Sequence, residues 1–254
     1  MKKWFAALIS TFLLGPVLSA QHLTIYTEID APSQFLGTNG ELTGLAVEIA
    51  KEIQRRVGNS DPILLVPWAR GYLELQTLPN VVLFATARTA DRDASFKWVG
   101  PFDERDYGLY VRADSTIALR DLEDARKLKA IGVYKEDARD LYLTRKGFKN
   151  LDRTIDNVAN VKKLMSGRID AFAYASMGIS DLAKSAGYKA GDMKEALPLL
   201  KVQLYFAFSR ATSNAVVNRW SKAFNVMKKD KTFERLFHDY YPERPLPGKS
   251  IRPQ

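Results

Sequence analysis

The sequence predicts an α/β protein made of two similar halves that face one cleft. Three observations carry this. Short apolar strand-like runs alternate with segments whose apolar residues recur every four positions, the alternation starts afresh after Asp121, and two segments repeat one order of events. These are Leu78-Pro79-Asn80-Val81-Val82-Leu83-Phe84-Ala85 and Ser166-Gly167-Arg168-Ile169-Asp170-Ala171-Phe172-Ala173, each running from helix end through a tight turn into a buried strand. Ligands of such sheets bind beyond the carboxyl ends of the strands, so two facing halves place those ends on either side of one cleft.

The first twenty residues differ from the rest. Lys2 and Lys3 precede an apolar run from Trp4 to Leu14, a Gly15-Pro16 break and the small exit residues of Val17-Leu18-Ser19-Ala20, so 1–20 reads as a signal peptide cleaved after Ser19 or Ala20. The run is short for a membrane anchor, and no later segment is long and apolar enough to span a bilayer. Leu23 to Thr27 then reads as a strand, followed by a loop with Pro32 and Asn39-Gly40. Thr43 opens a helix carrying Leu45, Ile49, Ile53 and Val57 on one face, and Gly58 ends it. Pro62–Val66 is a strand, Trp68–Gln76 a helix and Val81–Ala85 a third strand, which completes a β-α-β-α-β half. Tyr107–Val111 is a strand. The second half adds a strand at Ala130–Tyr134, helices at Asp137–Thr144 and Asn157–Met165, and a strand at Asp170–Tyr174. Val202–Phe208 is a last strand. Two amphipathic helices follow, with Val216, Trp220, Phe224 and Met227 on the first and Phe233, Leu236, Phe237 and Tyr240 on the second, before Pro242, Pro245 and Pro247 end the ordered part.

Composition narrows the function. There is no cysteine, which excludes a lipidated cysteine, a disulfide and a thiolate metal site. The net charge of +9 falls to +7 once Lys2 and Lys3 leave, and 46% hydrophobic residues suit a folded globular chain. The basic residues are scattered; the densest groups, Arg126-Lys127-Leu128-Lys129 and Lys228-Lys229-Asp230-Lys231, read as solvated helix ends, and no nucleic-acid motif accompanies them. No nucleic-acid partner is expected, whereas a basic cleft favours an anionic solute.

Four motifs in order resemble family 3 of the bacterial extracellular solute-binding proteins. They are Asn39-Gly40-Glu41-Leu42-Thr43-Gly44 leading into the first helix; Thr89-Ala90-Asp91-Arg92 followed by Phe96-Lys97-Trp98-Val99-Gly100-Pro101-Phe102; Ser166-Gly167-Arg168-Ile169-Asp170-Ala171; and the final helix pair with Lys228-Lys229-Asp230-Lys231-Thr232-Phe233. The resemblance implies a two-lobed periplasmic binding protein of type II, two α/β lobes joined by a two-strand hinge. Lobe 1 is expected at 21–112 plus 205–243, lobe 2 at 113–204, and a Pro-rich tail at 244–254. It further implies a periplasmic monomer without a cofactor that captures a small polar, carboxylated, amino-acid-like ligand by hinge closure and delivers it to an ABC permease.

In that family the arginine of a Thr-x-x-Arg motif grips the ligand carboxylate, and Arg92 matches it; a planar guanidinium offers two parallel donors for this. The alternative makes Arg92 a surface residue between Asp91 and Asp93. Departures matter as well. Phe84, Ala85 and Ala87 stand where hydroxyl residues are usual, with Thr86 and Thr89 retained; Ala175 and Ser176 stand where a second-lobe carboxylate pairs with the ligand ammonium; and Gly132-Val133-Tyr134-Lys135-Glu136-Asp137-Ala138 lacks a second glycine. Trp68, Arg70 and Arg88 are candidate replacements, with Trp68 as core and Arg70 as a partner of a neighbouring acid the competing reading. Tyr134, Lys135, Asp137, Tyr174 and Ser176 are the candidates from the second lobe.

An enzyme is not expected. The two histidines, His22 and His238, sit at the mature start and in the last helix, and no nucleophile elbow, nucleotide loop or His-Glu-x-x-His pair is present. The alternatives are an exported cyclohexadienyl-dehydratase-like enzyme, using Glu28, Asp30, Asp137 or Asp170 as an acid or base, and a ligand sensor acting in trans on a membrane receptor.

Overall fold

A computed structural model describes residues 22–248, so the signal-peptide expectation lies outside the described residues. The first half runs β1 (Thr24–Thr27), a two-residue hairpin of β2 (Phe35–Leu36) and β3 (Leu42–Thr43), α1 (Leu45–Val57), β4 (Ile63–Leu65), α2 (Trp68–Thr77), β5 (Val81–Ala87) and the single turn α3 (Ala90–Asp93). The long strand β6 (Phe96–Arg112) leads to α4 (Leu122–Arg126), β7 (Ile131–Tyr134), α5 (Ala138–Arg145), β8 (Leu151–Thr154), α6 (Asn157–Met165), β9 (Ala171–Ala175) and α7 (Ile179–Ser185). A second long strand, β10 (Met193–Ser209), precedes α8 (Asn214–Lys229) and α9 (Thr232–Tyr240).

One eight-stranded sheet of order β4-β1-β5-β10-β6-β9-β7-β8 passes through both halves. β1 pairs in parallel with β4 and β5, and β7 with β8 and β9. β6 and β10 run antiparallel along their full lengths, from Met193 opposite Arg112 to Ser209 opposite Phe96. The neighbours change along this ribbon: Leu204 to Phe208 of β10 pair with β5, whereas Tyr107 to Tyr110 of β6 pair with β9. Two α/β lobes therefore share two crossing strands, as the predicted fold requires.

The strands alternate their faces, which gives each lobe helices on both sides of its sheet. In β5, Val82 and Phe84 join Ile25, Leu45, Phe206, Trp220 and Phe237 beneath α1, α8 and α9, while Val81 and Leu83 join Tyr72 and Leu75 of α2. In β9, Ala171 and Ala173 face Ile131, Val133 and Leu143, while Phe172 and Tyr174 face Val161, Leu164 and Leu182. Gly132 lets α6 approach β7, because a Cβ there comes 2.6 Å from Asn160 Oδ1 and 2.7 Å from Ile169.

The structure departs from the sequence expectation in places. α1 is not opened by Thr43, which lies in β3 with its hydroxyl 3.0 Å from Tyr240. Gly44 is the N-cap at φ 118, and a Cβ there meets the Ser33 carbonyl at 2.4 Å, so only glycine fits. β6 begins at Phe96 rather than Tyr107 and β10 at Met193 rather than Val202. Asp103, Glu104, Arg105 and Asp106 interrupt the apolar alternation where β6 passes between lobes. Asp103 is fully buried there, paired with Arg105 and accepting from Arg244 at 3.1 Å, and Gly248 N–H donates to Glu104 at 3.0 Å. Residues 244–248 thus bind the crossing strands although they form no helix or strand.

Phe206 is fully buried on β10, with its ring centroid 5.6 Å from Phe84, 4.8 Å from Phe102 and 5.8 Å from Trp220. Phe206→Ala is expected to cost about 3–5 kcal/mol, read as a lower urea-unfolding midpoint; an unchanged midpoint contradicts its place in this core.

Candidate functional site

The carboxyl ends of β1, β5, β7 and β9 meet across the two lobes in a cleft of about 540 Å³ including its open mouth. Arg92 is the buried cation that the first lobe brings to this cleft. The turn α3 carries it inward to 1% exposure, with its guanidinium carbon 5.1 Å from the Trp68 ring centroid and 4.7 Å from that of Tyr72. The two rings stack at 5.4 Å, so cation–π attraction takes the role usually given to a counter-ion. Its Nη1 donates to the Ala87 carbonyl at 3.3 Å and its Nη2 to the Glu136 carbonyl at 2.7 Å. Its Nε is buried without a partner, and no carboxylate pairs with it among the described residues.

Glu136 belongs to the second lobe, so this bond crosses the cleft. Its carbonyl also accepts from Trp68 Nε1 at 3.3 Å. The residue holds φ at 63°, and its N–H donates to buried Asp140 at 3.0 Å, which fixes the turn before α5. The left-handed backbone here is held by a residue other than glycine.

A second buried arginine faces the cleft from the other lobe. Arg139 is 5% exposed, pairs with Asp137, donates to the Ala173 carbonyl at 3.1 Å, and lies 5.1 Å from the Tyr107 ring and 5.2 Å from the Tyr174 ring. Asp137 is the N-cap of α5, accepting from the N–H groups of Arg139 and Asp140. Burial works against the charge of Arg139, yet Asp137 and Tyr107 more than offset it and raise its pKa.

Acids gather at the end of β1. Tyr134 OH donates to Glu28 at 3.0 Å and Tyr174 OH to Asp30 at 3.3 Å, so both bonds also join the lobes. The Glu28 residue keeps some surface toward the cleft, but protein rings its carboxyl. Burial first, and the charge of Asp30 second, push its pKa up to about 8, with Tyr134 and Arg139 opposing. Gln34, 1% exposed, also lines the cleft with its Oε1 unpartnered, and Ala85, Ala87, Ala175 and Leu204 supply apolar wall.

Of the residues predicted from sequence, Arg92, Trp68, Asp137 and Tyr174 line this cleft, and Tyr134 lines a compartment beside it. The others stand elsewhere. Arg70 is exposed and pairs with Glu74 one helical turn on, as the competing reading held. Arg88 pairs with Asp93 at 2.6 Å and lies over Trp98 and Tyr205. The Thr86 hydroxyl donates to the Leu83 carbonyl within β5, Lys135 is exposed, and Ser176 Oγ donates to the Asp106 carbonyl. Sequence reasoning missed Arg139, Gln34, Tyr107 and Asn157. Arg139 left a signal, since an arginine in the first turn of a helix opposes the helix dipole unless an acid such as the Asp137 cap neutralises it.

Known proteins agree with this architecture. The solved structure of a histidine kinase sensor domain with similarity to periplasmic binding proteins superimposes with a TM-score of 0.75 at 19% identity, over 86% of this chain and 96% of that one. A mutant of ArgBP from T. maritima gives 0.74 at 20% identity, over 87% and 96%. The ancestral amino acid-binding protein AncCDT-1, a precursor of cyclohexadienyl dehydratase, gives 0.67 at 19% identity, over 86% and 95%. These likenesses show the fold. Comparison with curated proteins gives no match. The family model of the bacterial extracellular solute-binding proteins, family 3, matches residues 23–243, and the chain belongs to that family.

Proposed function

We propose that the protein captures a small zwitterionic, amino-acid-like solute between its lobes and, once closed, presents it to a membrane partner of the ABC importer type. The observation that carries this reading is Arg92: a buried cation lining the cleft, without a carboxylate partner and with its Nε–H unpartnered. A ligand carboxylate supplies the missing counter-charge. The ammonium goes to Glu28 and Asp30, whose hydrogen bonds come from tyrosines and which form no ion pair among the described residues. These acids replace the second-lobe carboxylate that Ala175 lacks. Closure follows because the groups around the ligand come from both lobes, so a bound solute favours the form in which they meet.

A sensor acting on a receptor uses the same closed form with a different partner. The dehydratase-like reading draws on one observation, the Glu28 carboxyl that holds its proton near neutrality inside the cleft. Incubation with a cyclohexadienyl acid separates it from binding: a binder leaves the compound intact, and an enzyme consumes it.

The mature protein is expected to shrink in solution scattering on adding its amino acid ligand. Arg92→Ala is expected to weaken binding by about a hundredfold or more, and Arg92→Lys to restore little, since an ammonium reproduces neither the fork nor the stacking. An amino acid bound equally well by Arg92→Ala sinks the reading.

The pH dependence has a definite sign. The folded protein favours protonated Glu28, so this stabilisation is full below about pH 4.5 and is lost as pH rises to about 8. Glu28→Gln, melted in parallel at pH 5 and pH 8, is expected to gain on the native protein as pH rises. A constant difference contradicts a raised Glu28 pKa.

A further inference from the structure

Beside the cleft lies a second compartment of about 720 Å³ including its mouth, and Glu28, Ile29, Asp30, Asn157 and Tyr174 line both. Its far wall comes from the second lobe, where Ile155, Val158 and Leu182 give an apolar flank and Asp156 and Asp181 stand at the starts of α6 and α7. No lysine or arginine lines it, so its charge is of one sign. Asp156 is accounted for as the N-cap accepting from Val158 N–H. Asp181, exposed in the first turn of α7, where it suits the helix dipole, makes no hydrogen bond or ion pair among the described residues.

Two amide oxygens point the same way. Asn157 Oδ1, between the compartments, is buried without a partner, and so is Oε1 of Gln34, a residue 1% exposed in the cleft next door. An amide presents either end, but Glu28, Asp30, Asp156 and Asp181 when ionised only accept. Groups that accept around an apolar-flanked space call for a ligand segment that donates and carries positive charge, with methylenes behind it.

We propose that this compartment is the side-chain subsite, and that the solute is an α-amino acid whose aliphatic side chain ends in a guanidinium or an ammonium group. The assignment rests on the reading that the α-carboxylate sits at Arg92 and the α-ammonium at Glu28 and Asp30. Glu28 faces Asp30, Asp137, Arg139, Tyr134 and Tyr174, so a cation arriving nearby also draws its proton off. Ile155, 65% exposed, gives the methylenes a flank at the mouth.

The test is calorimetric titration of the mature protein with arginine, lysine, citrulline, glutamine, glutamate and agmatine. Citrulline keeps the shape of arginine without its charge, and agmatine keeps the guanidinium without the carboxylate. Arginine or lysine is expected to bind about tenfold or more tighter than citrulline and glutamine, with glutamate weakest. Asp181→Lys is expected to remove about tenfold of that preference, and an unchanged preference overturns the subsite. Citrulline or glutamate binding as tightly as arginine overturns the subsite while leaving the Arg92 reading standing. Agmatine binding while every amino acid fails supports the subsite and overturns the Arg92 reading, and no binding by any of the six overturns both.

Discussion

The antiparallel pairing of β6 with β10 is the constraint on which the rest of the molecule depends. Each strand serves both lobes, and the two exchange neighbours along the way, β10 meeting β5 at one end and β6 meeting β9 at the other. The ribbon sets how far apart the lobes stand and turns the carboxyl ends of β1, β5, β7 and β9 toward one another. Its register shifts between Glu195 and Leu197, Pro198 and Leu200, and Leu204 and Phe206 interrupt the ladder, places where bulged strands bend and twist more strongly. Buried Asp103, held by Arg105, Tyr241 and Arg244, fixes the ribbon on the side of the C-terminal segment.

Around that cleft, charge is held in two ways. Arg139 is neutralised within its own lobe by Asp137, whereas Arg92 rests on aromatic faces and carbonyls alone. The first arrangement is self-sufficient and stiffens the second lobe. The second leaves a buried cation without a carboxylate beside it, since carbonyls and ring faces offset part of a full charge but do not cancel it. Glu28 and Asp30 are the converse, acids held by tyrosine hydroxyls from across the cleft. The two lobes are thereby bonded across the cleft, each supplying groups that the other's charges rest on.

Much of this is legible from the sequence, and the rest is not, for physical reasons. α6 at Asn157–Met165 and the strand starting at Val81 follow from apolar periodicity and flanking turns. The amino-terminal stretches of β6 and β10 escape because charged residues occupy a strand where it crosses between lobes and has fewer neighbours to pack on. Arg92 was found through its motif, but nothing local says that its counter-charge is aromatic. Arg70 and Arg88 stand close to it in sequence yet spend their charges on Glu74 and Asp93, contacts set by helix phase and loop shape. Gln34 and Tyr107 acquire meaning only when distant strands converge.

The core of the first lobe joins Ile25 of the first strand to Phe233 and Phe237 of the last helix, with Trp220 and Phe224 between. Nearly the whole polypeptide must therefore exist before that core can close, however early its first strands emerge. Contacts of such long sequence separation form late, and a partial chain gains little by collapsing early. The second lobe's cores, drawn from residues 109–197, need neither end of the chain, so the two lobes differ in how much of the sequence each must wait for.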